Sequence, residues 1–132
     1  MSIPFNPGWT KYVVHLPYEK PPLSMNDRMH WAEKARITAA VRKTACLEAQ
    51  SHHVPTGHDH VTVGLHYRPK VTRKRDADNL VPVLKACCDG LVDYGLTADD
   101  TPDLMSKWMP VIHPAIKGEK GRMWLEISWR NA

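Results

Sequence analysis

The chain has 132 residues, a net charge of +4, 42% hydrophobic and 24% charged residues, the balance of an ordinary globular protein. That length suits one domain, residues 1–132, with a core large enough to need no disulfide or metal staple. No run approaches the roughly eighteen apolar residues of a membrane span, and the opening MSIPFNPGWTKYVVHLP lacks the charged and apolar regions of a signal peptide. Cys46, Cys87 and Cys88 form neither a C-x-x-C pair nor an even framework, which points to packing in a reducing compartment. The expectation is a soluble cytoplasmic protein with no membrane partner.

Residues 11–17, KYVVHLP, read as a short strand closed by proline. YEKPPLSMN is a loop, with Ser24 or Asn26 as the cap of a following helix. That helix spans about 29–51, with Ile37, Ala40, Val41, Thr44 and Leu47 on one face, and Pro55 and Gly57 break the chain after it. Val61, Val63, Leu65 and Tyr67 then alternate with Thr62, Gly64 and His66, the period of a strand with one buried face. A second helix is predicted over about 80–94 from the stripe Leu80, Val83, Leu84, Cys87, Cys88, Leu91 and Val92, with Gly95 as its stop. Strands at about 104–112 and 122–129 finish the chain, joined by the hairpin-like KGEKG; Met123, Leu125, Ile127 and Trp129 share one face of the last. The order β-α-β-α-β-β suits an α/β (α+β) domain, a small mixed sheet with both helices on one face.

The chemistry concentrates at residues 72–79, TRKRDADN. Arg68, Lys70, Arg73, Lys74 and Arg75 fall within eight residues and form an electrostatic footprint for phosphates. Phosphate alone has no use for the adjacent Asp76 and Asp78, but a divalent cation between acids and phosphate reconciles the two charges. If the junction is extended, positions i and i+2 face one side with Cα atoms roughly 6.5 Å apart, and both carboxylates converge on one ion. Asp99 and Asp100 close the same site if the third strand lies antiparallel to the second, or if the second helix packs back across both. Carboxylates with an open phosphate position suit hydrated Mg²⁺. Lys85 shares a polar helix edge with Asp78 and Asp89, placed to neutralise transition-state charge or to form an ordinary Lys–Asp pair. Helix capping by Asp76 or Asp78 is the competing role for the acids.

Other features carry less. His52, His53, His58 and His60 crowd a loop without a cysteine or an H-E-x-x-H frame, so zinc is not expected. The five tryptophans suit core or interface packing more than base stacking, and Trp31, beside His30 and Arg28 at the helix entry, is the one that stands out as a stacking candidate. A D-x-D glycosyltransferase is disfavoured because the length leaves little room for a nucleotide-sugar domain.

The segment RKRDADNLVPVLKACCDGLVDYGLTADD resembles the central motif of RusA-like Holliday junction resolvases: a basic run, D-x-D-N-L, a lysine-bearing helix with an aspartate and glycine, and a closing D-D. PPLSMNDR is similar to the family's opening loop, and the element order extends the resemblance over essentially the whole chain. It implies a homodimeric, Mg²⁺-dependent endodeoxyribonuclease (Mn²⁺ as the other usable ion) that cuts four-way DNA junctions by paired incisions and takes no small-molecule cofactor. Asp76, Asp78 and Asp100 match the family's metal-binding acids, with Asp99 and Asp89 as further acids. Lys85 matches the catalytic lysine across an insertion, VPV at 81–83, whose Pro82 disfavours helical geometry at Val81. The implied DNA contacts are Arg68, Lys70, Arg73, Lys74, Arg75, Asn26 and Arg28. Metal-assisted attack of water would leave 5′-phosphate and 3′-hydroxyl ends. Two rival functions share these motifs: a nuclease for other branched DNA such as forks or flaps, and a DNA-binding protein that has lost catalysis.

Overall fold

The computed structural model describes residues 7–131. One mixed sheet of five strands carries two helices, an α+β fold. The elements are β1 (Trp9–Leu16), α1 (Trp31–Ser51), β2 (Val61–Arg68), a 3₁₀ turn (Ala77–Leu80), α2 (Val81–Tyr94), β3 (Met105–Lys107), β4 (Val111–Ile112) and β5 (Arg122–Arg130). Among the described residues no helix is long and apolar enough to cross a membrane.

The sheet runs β1-β5-β2-β3, with β4 also on β2. β5 is antiparallel to both its neighbours, β1 and β2. β3 and β4 follow each other along the free edge of β2, both parallel to it, with Val61 opposite Met105 and Tyr67 opposite Ile112. The single strand expected at 104–112 is therefore two, interrupted where Pro110 has no N–H to give a ladder. No hairpin joins the last two strands either. β2 lies between β4 and β5, so residues 113–121 pass around its end.

The core side of the sheet is that of Val14, Leu16, Val63, Leu65, Met123, Leu125 and Ile127, all buried with the α2 stripe of Val83, Leu84, Cys87, Cys88 and Leu91. Burial pushes the Cys88 thiol up to about 12 and raises Cys87 as well, so both are inert packing groups. α1 meets this layer through Val41, Ala45 and Ala49, spaced four apart, while Leu47 is 50% exposed and Ala40 is exposed. Of the expected α1 stripe, Val41 is buried and Ile37 packs against the core, but Ala40 and Leu47 are exposed and Ala45 and Ala49 take the contact instead. The smallness of this alanine ridge is required: a Cβ on Gly90 of α2 would stand 2.1 Å from the Arg42 carbonyl oxygen, so the two helices cross backbone to backbone.

α1 begins at Trp31, and its cap is His30, whose Nδ1 accepts from the Ala32 N–H at 3.2 Å. Ser24 and Asn26 instead bond within their loop: Ser24 Oγ accepts from the Asn26 N–H, and the Ser24 N–H donates to Asp27 Oδ2.

β2 also differs from expectation, because both of its faces are buried. On the side away from the helices, His66 forms a mutual cluster with Trp124 and His113, its ring centroid 5.4 and 5.1 Å from theirs, which are themselves 5.1 Å apart. His66 Nδ1 lies 2.9 Å from His113 Nε2. Buried Glu126 accepts from Trp124 Nε1–H at 3.1 Å and Lys11 Nζ at 3.3 Å. His66 Nε2 stands 3.3 Å from Glu126 but is misaligned for a hydrogen bond. Burial lowers the His66 pKa to about 4, so the ring is neutral at pH 7.

Candidate functional site

The D-x-D segment leaves β2 through the basic run and turns into α2. Asp76 is extended (φ −93°, ψ 126°), but Ala77–Leu80 forms a 3₁₀ turn, so strand alternation does not project the two carboxylates as expected. The turn runs directly into α2 at Val81. Pro82 falls in the first turn of that helix, where its missing N–H costs nothing. Asp76 makes no side-chain cap bond. Asp76 and Asp78 are both exposed, and neither carboxylate has a hydrogen bond or ion pair among the described residues. The opening loop is tied to the same segment, with the Met25 N–H donating to the Asn79 carbonyl at 3.3 Å.

α2 then runs back along β2. Its end meets the approach to that strand, where the N–H groups of Gly57 and His58 donate to the carbonyls of Gly95 and Leu96. A strand following such a return is parallel to β2, not antiparallel, and β3 is so. The crossover brings Asp100 to the edge of α2. Lys85 Nζ donates to Asp100 Oδ2 at 2.5 Å and to Asp89 Oδ1 at 3.0 Å. Lys107 of β3 donates to the same Asp100 oxygen at 2.7 Å. Lys107, and Lys85 after it, hold the Asp100 carboxyl well below the usual carboxylate range. Asp100, and then Asp89, raise the Lys85 pKa in return. Asp99 turns away to accept the Asp100 N–H at 2.8 Å. Sequence reading missed Lys107; its signal was an alternation with buried Met105 too short to weigh.

The five clustered cations separate. Lys70, Arg73 and Arg75 line a cavity of about 630 Å³ that also has Asp76 and Asn79 in its wall. Lys20 and Ser24 of the opening loop line it too. The Arg75 guanidinium sits 5.9 Å from the Tyr67 ring centroid and donates to the Val71 carbonyl at 2.8 Å. Lys74 is exposed and outside this lining. Arg68 lies on the His66 side of β2, in an ion pair with Glu119 at 3.1 Å. Asn26 and Arg28 are exposed on the opening loop beyond the cavity, and Trp31 is 76% exposed beside them.

Among the described residues no group of three or more His, Cys, Asp or Glu side chains is gathered to hold a metal ion. Asp76 and Asp78 offer the exposed hard oxygens that Mg²⁺ takes, whereas the Asp100 carboxylate is engaged by two ammonium groups. Three of the loop histidines have protein partners: His52 bonds to the Glu48 carbonyl and His58 to that of Pro55, both nearby in the chain, and His60 to the Ser106 hydroxyl on β3. No protein-family model matches the chain, and no curated protein matches it.

Proposed function

We propose that the chain is a divalent-metal-dependent endodeoxyribonuclease acting on branched DNA, with the four-way junction as its first substrate. One observation carries the reading: an open carboxylate, Asp76, shares a cavity wall with Lys20, Lys70, Arg73 and Arg75. An acid in a phosphate-binding surface weakens the binding of its ligand, and a divalent cation between the two reverses that effect. A Mg²⁺ held by Asp76 and Asp78, with Asp100 as a third acid, would lower the pKa of a bound water and offset charge on the scissile phosphate. The protein's own groups have separate tasks. Lys70, Arg73 and Arg75 neutralise phosphates and make binding salt-dependent. Lys85, kept charged by Asp100 and Asp89, acts as a fixed positive charge and not as a proton acceptor. Water adds to phosphorus, the 3′ oxygen leaves and takes up a proton, and a 5′-phosphate remains. A two-fold dimer would present two such sites to a two-fold junction.

One observation favours a second reading, DNA binding without cutting: both Lys85 and Lys107 occupy Asp100. End-labelled four-way junction, fork and linear duplex, incubated with Mg²⁺ or with chelator, separate the two. Paired cuts at the junction that need metal and vanish in Asp76→Asn are expected. Junction binding with no cut in either Mg²⁺ or Mn²⁺ would overturn the nuclease and leave the binding protein.

A further inference from the structure

The cavity beside Asp76 has two kinds of wall. Lys20, Lys70 and Arg73 supply cations, while Pro21, Val71 and Ile112 supply accessible apolar surface, Tyr67 and Leu80 of the same lining being buried. Its volume, about 630 Å³, falls in the range that encloses a small molecule and excludes a stacked duplex. The opening-loop wall is fixed in place. A Cβ on Gly121 would stand 2.0 Å from the Glu19 carbonyl oxygen, so the start of β5 packs directly on the loop backbone. Leu23 is buried, and the Met25 N–H holds the Asn79 carbonyl. The site is therefore built before any ligand arrives.

A bare phosphate would use the cations and leave the apolar wall bare; a purely apolar ligand would do the reverse. A nucleotide uses both, and a base enters a concave site only after leaving its stack. We propose that this cavity holds one unstacked nucleotide of the strand being cut, its phosphate on Lys20, Lys70 and Arg73 and its base toward the wall that includes Ile112. The assignment rests on the nuclease reading and deepens it. Branched DNA is preferred because a branch point surrenders a base more cheaply than a continuous duplex does.

The test is equilibrium binding in chelator, so that no strand is cut, of a four-way junction carrying 2-aminopurine either at the branch or well inside one arm. Branch fluorescence is expected to rise severalfold on binding while the arm probe stays constant. Lys20→Ala, an exposed position outside the D-x-D segment, is expected to weaken junction binding about tenfold and to lower the salt slope by about one. Ile112→Asp is expected to abolish the fluorescence rise, and its melting temperature reports whether the fold is intact. No binding, binding with an unchanged branch probe, or Lys20→Ala binding like wild type each overturns the assignment. Cleavage of the same junction with Mg²⁺ keeps the two readings apart. Cutting without a fluorescence rise discards the cavity and keeps the nuclease; a Lys20-dependent rise without cutting keeps the nucleotide in the cavity and discards the nuclease.

Discussion

Two sets of acids flank α2, and the fold treats them in opposite ways. Asp76 and Asp78, ahead of the helix, are exposed and have no partner among the described residues. Asp100, brought alongside by the crossover, has one oxygen shared by two ammonium groups at 2.5 and 2.7 Å. The charge of the first pair is uncompensated within the fold, and that of Asp100 is already compensated. Acids that serve only as ligands contribute nothing to the empty fold, whereas an acid that also clamps β3 to α2 contributes before any ligand binds. The same aspartate-to-asparagine change should then have different consequences at the two places.

The largest contrast is in activity. Asp76→Asn is expected to lower metal-dependent junction cleavage by at least about a thousandfold. Its stability should stay within about 0.5 kcal/mol of wild type, and junction binding in chelator should persist. A melting temperature that drops with the activity would mean that Asp76 is structural. Next in size is Lys85→Met, expected to cost about a hundredfold in cleavage because it removes the fixed charge between Asp89 and Asp100. Unchanged cleavage in that variant would reduce Lys85 to a clamp.

Asp100→Asn should reveal the compensated acid through stability. It leaves Lys85 and Lys107 facing a neutral amide, a loss of about 1–2 kcal/mol, or about 4–8 °C in melting temperature. The sign with pH follows from the depressed carboxyl pKa. Its contribution is full above the ordinary carboxylate value and drains away as pH falls toward the lower folded value. Wild type and Asp100→Asn should therefore converge on acidification from about pH 4 toward pH 2. Parallel pH curves would show that the lysines do not stabilise the fold through this charge.

How much of this was legible in the sequence follows from how local each feature is. The α2 stripe and its Gly95 stop, in the left-handed region at φ 96°, are written in adjacent residues and fall where expected. The alanine ridge of α1 carries almost no hydropathy contrast, and only the close approach at Gly90 explains why small residues suffice. The division of β3 from β4 depends on pairing with β2 across the crossover. His66 looked solvent-facing because its burial comes from His113 and Trp124 on two distant segments. The candidate site divides the same way. The D-x-D and the basic run are contiguous and easily read, but Arg68 separates from Lys70 and Arg73 because it is the last residue of β2, on the His66 side, while they lie in the segment beyond the strand. Lys20 and Lys107 reach the site only through tertiary contacts.

The smallest predicted effect tests whether the compensation at Asp100 is a cost to metal binding. Lys107 is anchored on β3, opposite Val63, and reaches Asp100 from the strand side, while Lys85 reaches it from the helix. An incoming cation at Asp100 must displace at least part of this double contact, and each ammonium removed lowers that barrier. Lys107→Met keeps the long apolar stem and deletes only the charge. Its stability should change by less than about 1 kcal/mol, since Lys85 still neutralises Asp100. Half-maximal cleavage should then need about threefold less Mg²⁺, the modest gain expected from removing one competing charge near a partly exposed site. A requirement for more Mg²⁺ would reverse the argument: Lys107 would then be orienting Asp100 for the ion, and the two acid sets would be two halves of one preorganised site.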